Sequence, residues 1–218
     1  MFPQLKTAKE KGDFMSIYKK VMGKDFSLLH PMLQKRYNLP DGATFKAYGV
    51  MNEIKGGPAW LYPLFRIGVR WKLLFPEHGK SIPFSITNTA FTTKDGESHV
   101  HWERIFQFQH TNRYFNALMS LDEERLVIKD YLGEPPLFYS DLAFTATAEG
   151  HLKIESLNQR LILGKLEIPL PRFLQGLATV TEKYINEQEL YQITVTVRNP
   201  LIGSVFSYEG TFSPDENA

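Results

Sequence analysis

A chain of 218 residues that is 43% hydrophobic and 22% charged carries enough apolar material for one sizeable core and too much for a disordered tether. Its formal charge of +1, with no cluster of Lys and Arg interleaved with aromatics, counts against a nucleic-acid footprint. Having Cys 0, it forms no disulfide, thiolate metal site or cysteine nucleophile; the composition suits a reducing compartment, and the expected location is the cytoplasm.

Residues 1–13 hold lysines but no apolar run of signal-peptide length and no small-residue cleavage pattern, so a loose terminus is expected there. Two helices should open the fold. Residues 16–22 place Ile17, Tyr18 and Val21 before a Gly23 stop, and residues 26–37 place Phe26, Leu29, Leu33 and Tyr37 at helical spacing. After a Pro40-Asp41-Gly42 turn, Phe45, Ala47, Gly49 and Met51 share one face of a first strand. Gly56-Gly57-Pro58 breaks that strand and begins an apolar helix from Ala59 to about Leu74, with Pro63 tolerated in its first turn. Arg66, Arg70 and Lys72 interrupt this segment, which is also shorter than the roughly 20 residues of a membrane-spanning helix. No transmembrane segment is expected.

Alternation then dominates. Strands are predicted near 81–93, 98–110, 113–120, 125–131, 138–148, 151–159, 177–186, 189–198 and 204–212, joined by short turn signals such as Lys94-Asp95-Gly96 and Glu149-Gly150. An interruption at 168–176, with Pro169 and Pro171, suits a helical turn, and 213–218 reads as a second loose end. About ten sequential antiparallel strands would leave two open edges unless the sheet closes or is capped. The expected fold is therefore a single mostly β (α+β) domain. It is a strongly curved antiparallel meander or barrel with two N-terminal helices and one inserted apolar helix covering the sheet. Such a barrel either fills with side chains or leaves room for a small ligand.

The strand near 98–110 is the most informative. Val100, Trp102, Arg104, Phe106 and Phe108 fall on one face, whereas His99, His101, Glu103, Gln107 and Gln109 fall on the other, with Ile105 out of step. An arginine among inward apolar groups keeps its charge and must meet a carboxylate, carbonyls, water or a ligand. Three readings stay open: an internal structural pairing, a strand that faces the other way and leaves the charge solvated, or an anchor for the carboxylate or phosphate of an amphiphile resting on the neighbouring aromatics. Arg66 and Arg70, spaced i,i+4, form one helical stripe beside Trp60 and Trp71. That stripe is either the solvent face of a capping helix or a contact with an anionic membrane surface or ligand head group. His99, His101 and Glu103 form a row that suits a metal or proton shuttle only with a further ligand from elsewhere, and otherwise is an exposed strand face. No nucleophile elbow, phosphate loop or dinucleotide fingerprint is present, and Met22, Met32 and Met51 read as packing residues.

Several segments resemble a known family. They are the run from Tyr18 through Gly23, Phe26 and His30 to Pro31, the Phe45-x-Ala47-x-Gly49 strand, Trp102-x-Arg104-x-Phe106, and Asn199-Pro200-Leu201-Ile202-Gly203 followed by Tyr208-x-Gly210. Their order and spacing, from about Tyr18 to Phe212, are similar to an uncharacterised bacterial family, domain of unknown function 4166. The resemblance implies an accessory module, since similar domains occur alone or joined to nucleotide-binding oxidoreductase-like chains and to membrane proteins. It brings no catalytic residue, and marks Trp102, Arg104, Phe106, Gly203 and Tyr208 only as motif positions. On physical grounds Gly203 after Pro200 suits a turn or bulge of positive φ, and Tyr208 is expected to present its hydroxyl inward beside Phe206 and Phe212, while its approach to Arg104 stays open.

The leading expectation is non-enzymatic binding of a hydrophobic or amphiphilic, lipid-like small molecule in a cavity of the curved sheet, without cofactor or metal. Arg104 would anchor its polar end, Trp102, Phe106 and Phe108 would line the apolar part, Tyr208 would join these ligand-binding residues, and Arg70 would close the mouth. The alternative is a protein-interaction or membrane-peripheral module acting through residues 59–74, and a third reading is an acid/base enzyme using Glu103 with His99 or His101.

Overall fold

A computed structural model describes residues 15–215; the loose end expected at 1–13 lies outside the described residues. Ser16 caps the first helix, α1 (Ile17–Met22), its Oγ accepting from the Lys19 N–H at 3.1 Å, and Gly23 ends it at φ 55°. The second, α2 (Pro31–Tyr37), is capped by His30 Nδ1 accepting from the Met32 N–H at 3.2 Å. One helix was expected over 26–37. Instead a 3-10 stretch occupies Gly23–Leu28 and Pro31 opens α2, because proline has no N–H to donate and is tolerated only in a first turn.

The strands follow as β1 (Thr44–Gly56), then, after the helix α3 (Tyr62–Val69), β2 (Gly79–Thr92), β3 (Ser98–Phe108), β4 (Thr111–Tyr114) and β5 (Ala117–Asp122). The remainder are β6 (Val127–Leu132), β7 (Phe138–Ala146), β8 (Leu152–Leu163), β9 (Leu166–Pro169), β10 (Leu177–Ile185), β11 (Leu190–Asn199) and β12 (Gly203–Pro214). All pairings are antiparallel. The path β10-β11-β12-β1-β2-β3-β5-β6-β7-β8 closes where Thr179–Glu182 of β10 pairs with Leu152–Glu155 of β8, giving a barrel of ten strands. Closure removes both edges, the physical problem that a meander of this length had to solve.

Two short strands are appendages. β4 extends the β3 hairpin and is separated from β5 by Phe115 and Asn116, so the single strand expected at 113–120 is broken, whereas β9 folds back on β8 where no strand was expected. Ser213 and Pro214, expected in the C-terminal loose end, instead pair with Tyr48 and Ala47 of β1. The helical turn expected within 168–176 is a 3-10 turn at Arg172–Leu174.

The β1–β12 contact is unusually close. A Cβ on Gly49 would lie 1.9 Å from the Thr211 carbonyl oxygen, and one on Gly210 would lie 2.2 Å from that of Val50. Only glycine permits the two backbones to approach so far.

The inserted helix corrects the sequence expectation most. Residues 59–61 form a 3-10 turn, α3 ends at Val69, and the chain reverses through Lys72 at φ 51° rather than continuing to Leu74. Its return is tied down by two backbone bonds, Asn116 N–H to Lys72 C=O at 2.8 Å and Glu134 N–H to Trp71 C=O at 2.7 Å. These contacts put α3 at the barrel end that holds the β6–β7 turn. The N-terminal helices close the opposite end, where His30 N–H donates to Gly150 C=O in the β7–β8 turn at 2.9 Å.

The interior is filled unevenly. Along β12, β1, β2 and β3 it is crowded with Phe84, Phe106, Phe206, Tyr208 and Phe212, and Phe75 enters from the chain after α3, with ring centroids about 5 Å from those of Phe106 and Phe206. The wall from β5 to β11 presents smaller groups, among them Ser140, Ser156, Ala178, Val180, Val195 and Val197, and there a chamber remains.

Candidate functional site: a chamber beneath the inserted helix

The chamber has a volume of about 390 Å³. Aliphatic and aromatic side chains from β5–β8, β10 and β11 form its wall, Trp102 and Arg104 of β3 enter at one side, and Leu61, Phe65 and Gly68 of the α3 region roof it. Leu64, Ile67 and Leu174 also line it yet are more than half exposed. They therefore mark the mouth.

Arg104 projects inward, as its alternating strand required, and only 6% of it is exposed. Its Nε donates to the Phe115 carbonyl at 2.8 Å and its Nη1 to the Tyr208 hydroxyl at 3.4 Å. The guanidinium carbon sits 4.1 Å from the Phe115 ring centroid and 5.6 Å from that of Trp102. The break between β4 and β5 supplies this setting: Phe115 bonds to Arg104 through both backbone and side chain, and Asn116 Oδ1 accepts from the Arg104 N–H at 3.3 Å. No carboxylate reaches salt-bridge distance of this guanidinium among the described residues.

Asp130 is the acidic group that shares the chamber with Arg104. It lies on β6 between inward Ile128 and Leu132, lines the same chamber, and is 5% exposed. Its Oδ1 is buried and has no hydrogen-bond partner within the described chain. Burial pushes its carboxyl from the ordinary 3.8 up to about 7, against the opposing pull of Arg104. Such a group can accept a hydrogen bond as a carboxylate or donate one as an acid within the physiological range.

The other polar lining groups are committed to the framework. Gln159 bonds to the backbone N–H and C=O of Gly176, Ser156 Oγ accepts from the Ala178 N–H, Gln175 donates to Leu170 C=O, and Asn199 donates to the carbonyls of Phe173 and Gln175. Together they hold the segment joining β9 to β10 against the barrel mouth. Arg104 and Asp130 thus remain as the two charged groups offered to the chamber, of opposite sign and not in contact.

Of the expected site residues, Trp102 lines the chamber, its Nε1 donating to the Tyr18 hydroxyl at 2.8 Å. Tyr208 touches Arg104 from the filled side. Phe106 and Phe108 pack on Phe75 and do not form the chamber wall, and Arg70 is exposed at the end of α3. Arg66 is exposed too. The row on the outer face of β3 is dispersed among separate partners. His99 contacts Glu97 at 3.2 Å and His101 contacts Glu134 at 2.5 Å, and among the described residues no group of three His, Asp or Glu side chains is arranged to hold a metal ion.

A second buried arginine went unnoticed in the sequence. Arg36 of α2 donates from Nε to Glu182 Oε1 of β10 at 2.6 Å, both side chains wholly buried, and Tyr37 donates to Glu182 Oε2 at 3.0 Å. Five aromatic rings surround its guanidinium, the closest being Phe45 at 4.4 Å, with Phe212 at 5.1 Å. The signal that exposes Arg104 also marks Asp130, between Ile128 and Leu132, and Glu182, between Val180 and Tyr184: a charge at period two within an apolar face.

Fold and chamber together define a closed ten-strand β-barrel that encloses an apolar space with one unpaired arginine. The chain belongs to the DUF4166 family, a domain of unknown function, whose family model matches residues 29–212. It is 40% identical over 201 residues, 92% of this chain and 98% of the relative, to an uncharacterized protein, YndH, of Bacillus subtilis (strain 168). No solved structure matches significantly.

Proposed function

We propose that the barrel binds a hydrophobic or amphiphilic small molecule, its apolar body in the chamber and its polar end between Arg104 and Asp130. One observation carries this reading: a permanently charged guanidinium borders an apolar space of about 390 Å³ with no ion-pair partner in reach. Binding pockets for small molecules typically hold about 300–1,000 Å³, with few polar groups set in an apolar wall. A fully packed barrel would have used the space for side chains, and an internal salt bridge would have consumed the charge, as Glu182 does for Arg36. The cysteine-free composition fits a cytoplasmic setting for this role.

Native mass spectrometry of protein purified from its host should reveal a co-purifying lipid-sized mass, and a dansylated fatty acid should bind the emptied protein with enhanced emission. Losing a charge-assisted hydrogen bond of about 1.5–3 kcal/mol predicts that Arg104→Met weakens that probe by about ten- to a hundredfold. A bare apo mass, together with no probe binding by the wild-type chain, would refute the reading.

A further inference from the structure

We propose that the barrel mouth is a docking surface for an anionic phospholipid bilayer, formed jointly by α3, the 3-10 turn at Arg172–Leu174 and the β11–β12 turn. Two independent features coincide there. The first is a rim of large apolar side chains. Leu64, Ile67 and Leu174 line the chamber while facing solvent, and Trp60, Phe173 and Leu201, the last 76% exposed, continue the rim outward. Apolar groups gathered around one opening, with a tryptophan among them, are the composition that partitions into a membrane interface.

The second feature is charge. No Asp or Glu occurs in residues 57–76, 168–181 or 191–208, the stretches that build this end, whereas Arg66, Arg70, Arg172 and Arg198 occur there and are all exposed. The flanking acids are already matched by bases of their own: Glu77 by Arg113, Glu134 by Lys72 and Glu167 by Arg160. The rim thus carries four guanidinium groups that form no ion pair among the described residues, although the charge of Arg66 also acts on the Glu77 carboxylate, and their stems can lie along apolar surface while their heads meet lipid phosphates. A second copy of the chain is the poorer occupant, because two such rims brought face to face oppose like charges. The bilayer supplies both the apolar layer and the negative charge. The chamber opens inside this rim, so a docked barrel would exchange an amphiphile with the membrane without carrying it through water.

Sedimentation of the full chain with vesicles provides the test. The wild type should pellet with vesicles of phosphatidylglycerol mixed with phosphatidylcholine, less so as salt is raised, and far less with phosphatidylcholine alone. Fluorescence should be quenched by brominated acyl chains, and this quenching should diminish in Trp60→Ser. Each rim arginine is expected to contribute about fivefold to partitioning, so the triple variant Arg66→Gln, Arg70→Gln, Arg172→Gln should lose about a hundredfold. Trp60→Ser combined with Phe173→Ser should abolish pelleting. These side chains are exposed, and an unchanged thermal transition verifies that the variants fold. Failure of the wild type to pellet with anionic vesicles would overturn the proposal, as would pelleting that the rim variants retain. Concentration-dependent self-association through the rim without vesicle binding would equally overturn it, in favour of a second copy. Arg104→Met should pellet like the wild type, since Arg104 is internal, and so a failed ligand assignment is distinguishable from a failed membrane assignment.

Discussion

Arg36 and Arg104 occupy the same barrel interior and meet opposite fates. Arg36 is neutralised by Glu182, and the pair is fully buried, an arrangement whose components depend on each other. Removing one partner of such a pair usually costs about 3–5 kcal/mol, whereas replacing both by apolar groups can be neutral. Arg36→Leu is therefore expected to destabilise strongly in chemical denaturation, and the double substitution with Glu182→Met should recover most of the loss. Arg104 has only carbonyl, hydroxyl and ring partners, with Asp130 nearby but apart. Because the folded-state pKa of Asp130, at about 7, lies above its ordinary 3.8, the folded protein keeps a proton that the unfolded chain releases between those values. Stability should decline as pH rises from about 4 to about 7 through this group and level off above. Asp130→Asn should flatten that decline and raise the melting temperature at pH 8, and thermal melts across pH check both. The alternation around Arg104 was visible in the bare chain; the same pattern marks Asp130 and Glu182 only when each is weighed as an inward charge.

Among the elements, α3 depends most on its surroundings. Two turns of helix are marginal in isolation, and here the chain after it is stapled to the barrel by backbone bonds at Trp71 and Lys72 and by Glu134. Glu134 accepts from Lys72 Nζ at 2.5 Å and Asn116 Nδ2 at 3.0 Å and contacts His101. Partial burial alone would raise its carboxyl, but these bonds outweigh it and hold it at about 2. A carboxyl held below its ordinary 4.5 stabilises the fold fully above that value and ceases to do so as pH falls through about 2. Amide exchange at residues 70–73 should accordingly quicken as pH drops across that window, after correction for intrinsic rates. Glu134→Gln should produce the faster exchange already at neutral pH, with a global cost of only about 1 kcal/mol because the cluster is partly open to water. The length of α3 was not legible in advance. Ala59–Leu74 is apolar nearly throughout, yet the chain leaves the helix after Val69 through Lys72 at φ 51°, and the segment beyond is held by Asn116 and Glu134, residues more than forty positions away.

At the scale of the whole molecule, the barrel places its bulk on one side and its space on the other. Ala178 faces the chamber from β10, so Ala178→Leu should fill part of it, stabilising the fold by about 0.5–2 kcal/mol while displacing the dansylated fatty acid. Denaturant melts and probe titration on one sample would register that trade-off, and destabilisation with undiminished uptake would count against the chamber as the binding site. A barrel of ten strands is wide enough to leave such space, since even eight strands can enclose one small ligand. The chain alone determined the alternation of the strands, their antiparallel succession, the need to remove two open edges and the inward placement of Arg104, because period-two patterning and short turns are local properties. Only the tertiary structure decided that β8 meets β10, that glycines let β1 and β12 close up, and that Asp130 comes to share a chamber with Arg104 without touching it. Those outcomes depend on strand register and side-chain volume summed over segments distant in sequence, quantities that no local window contains.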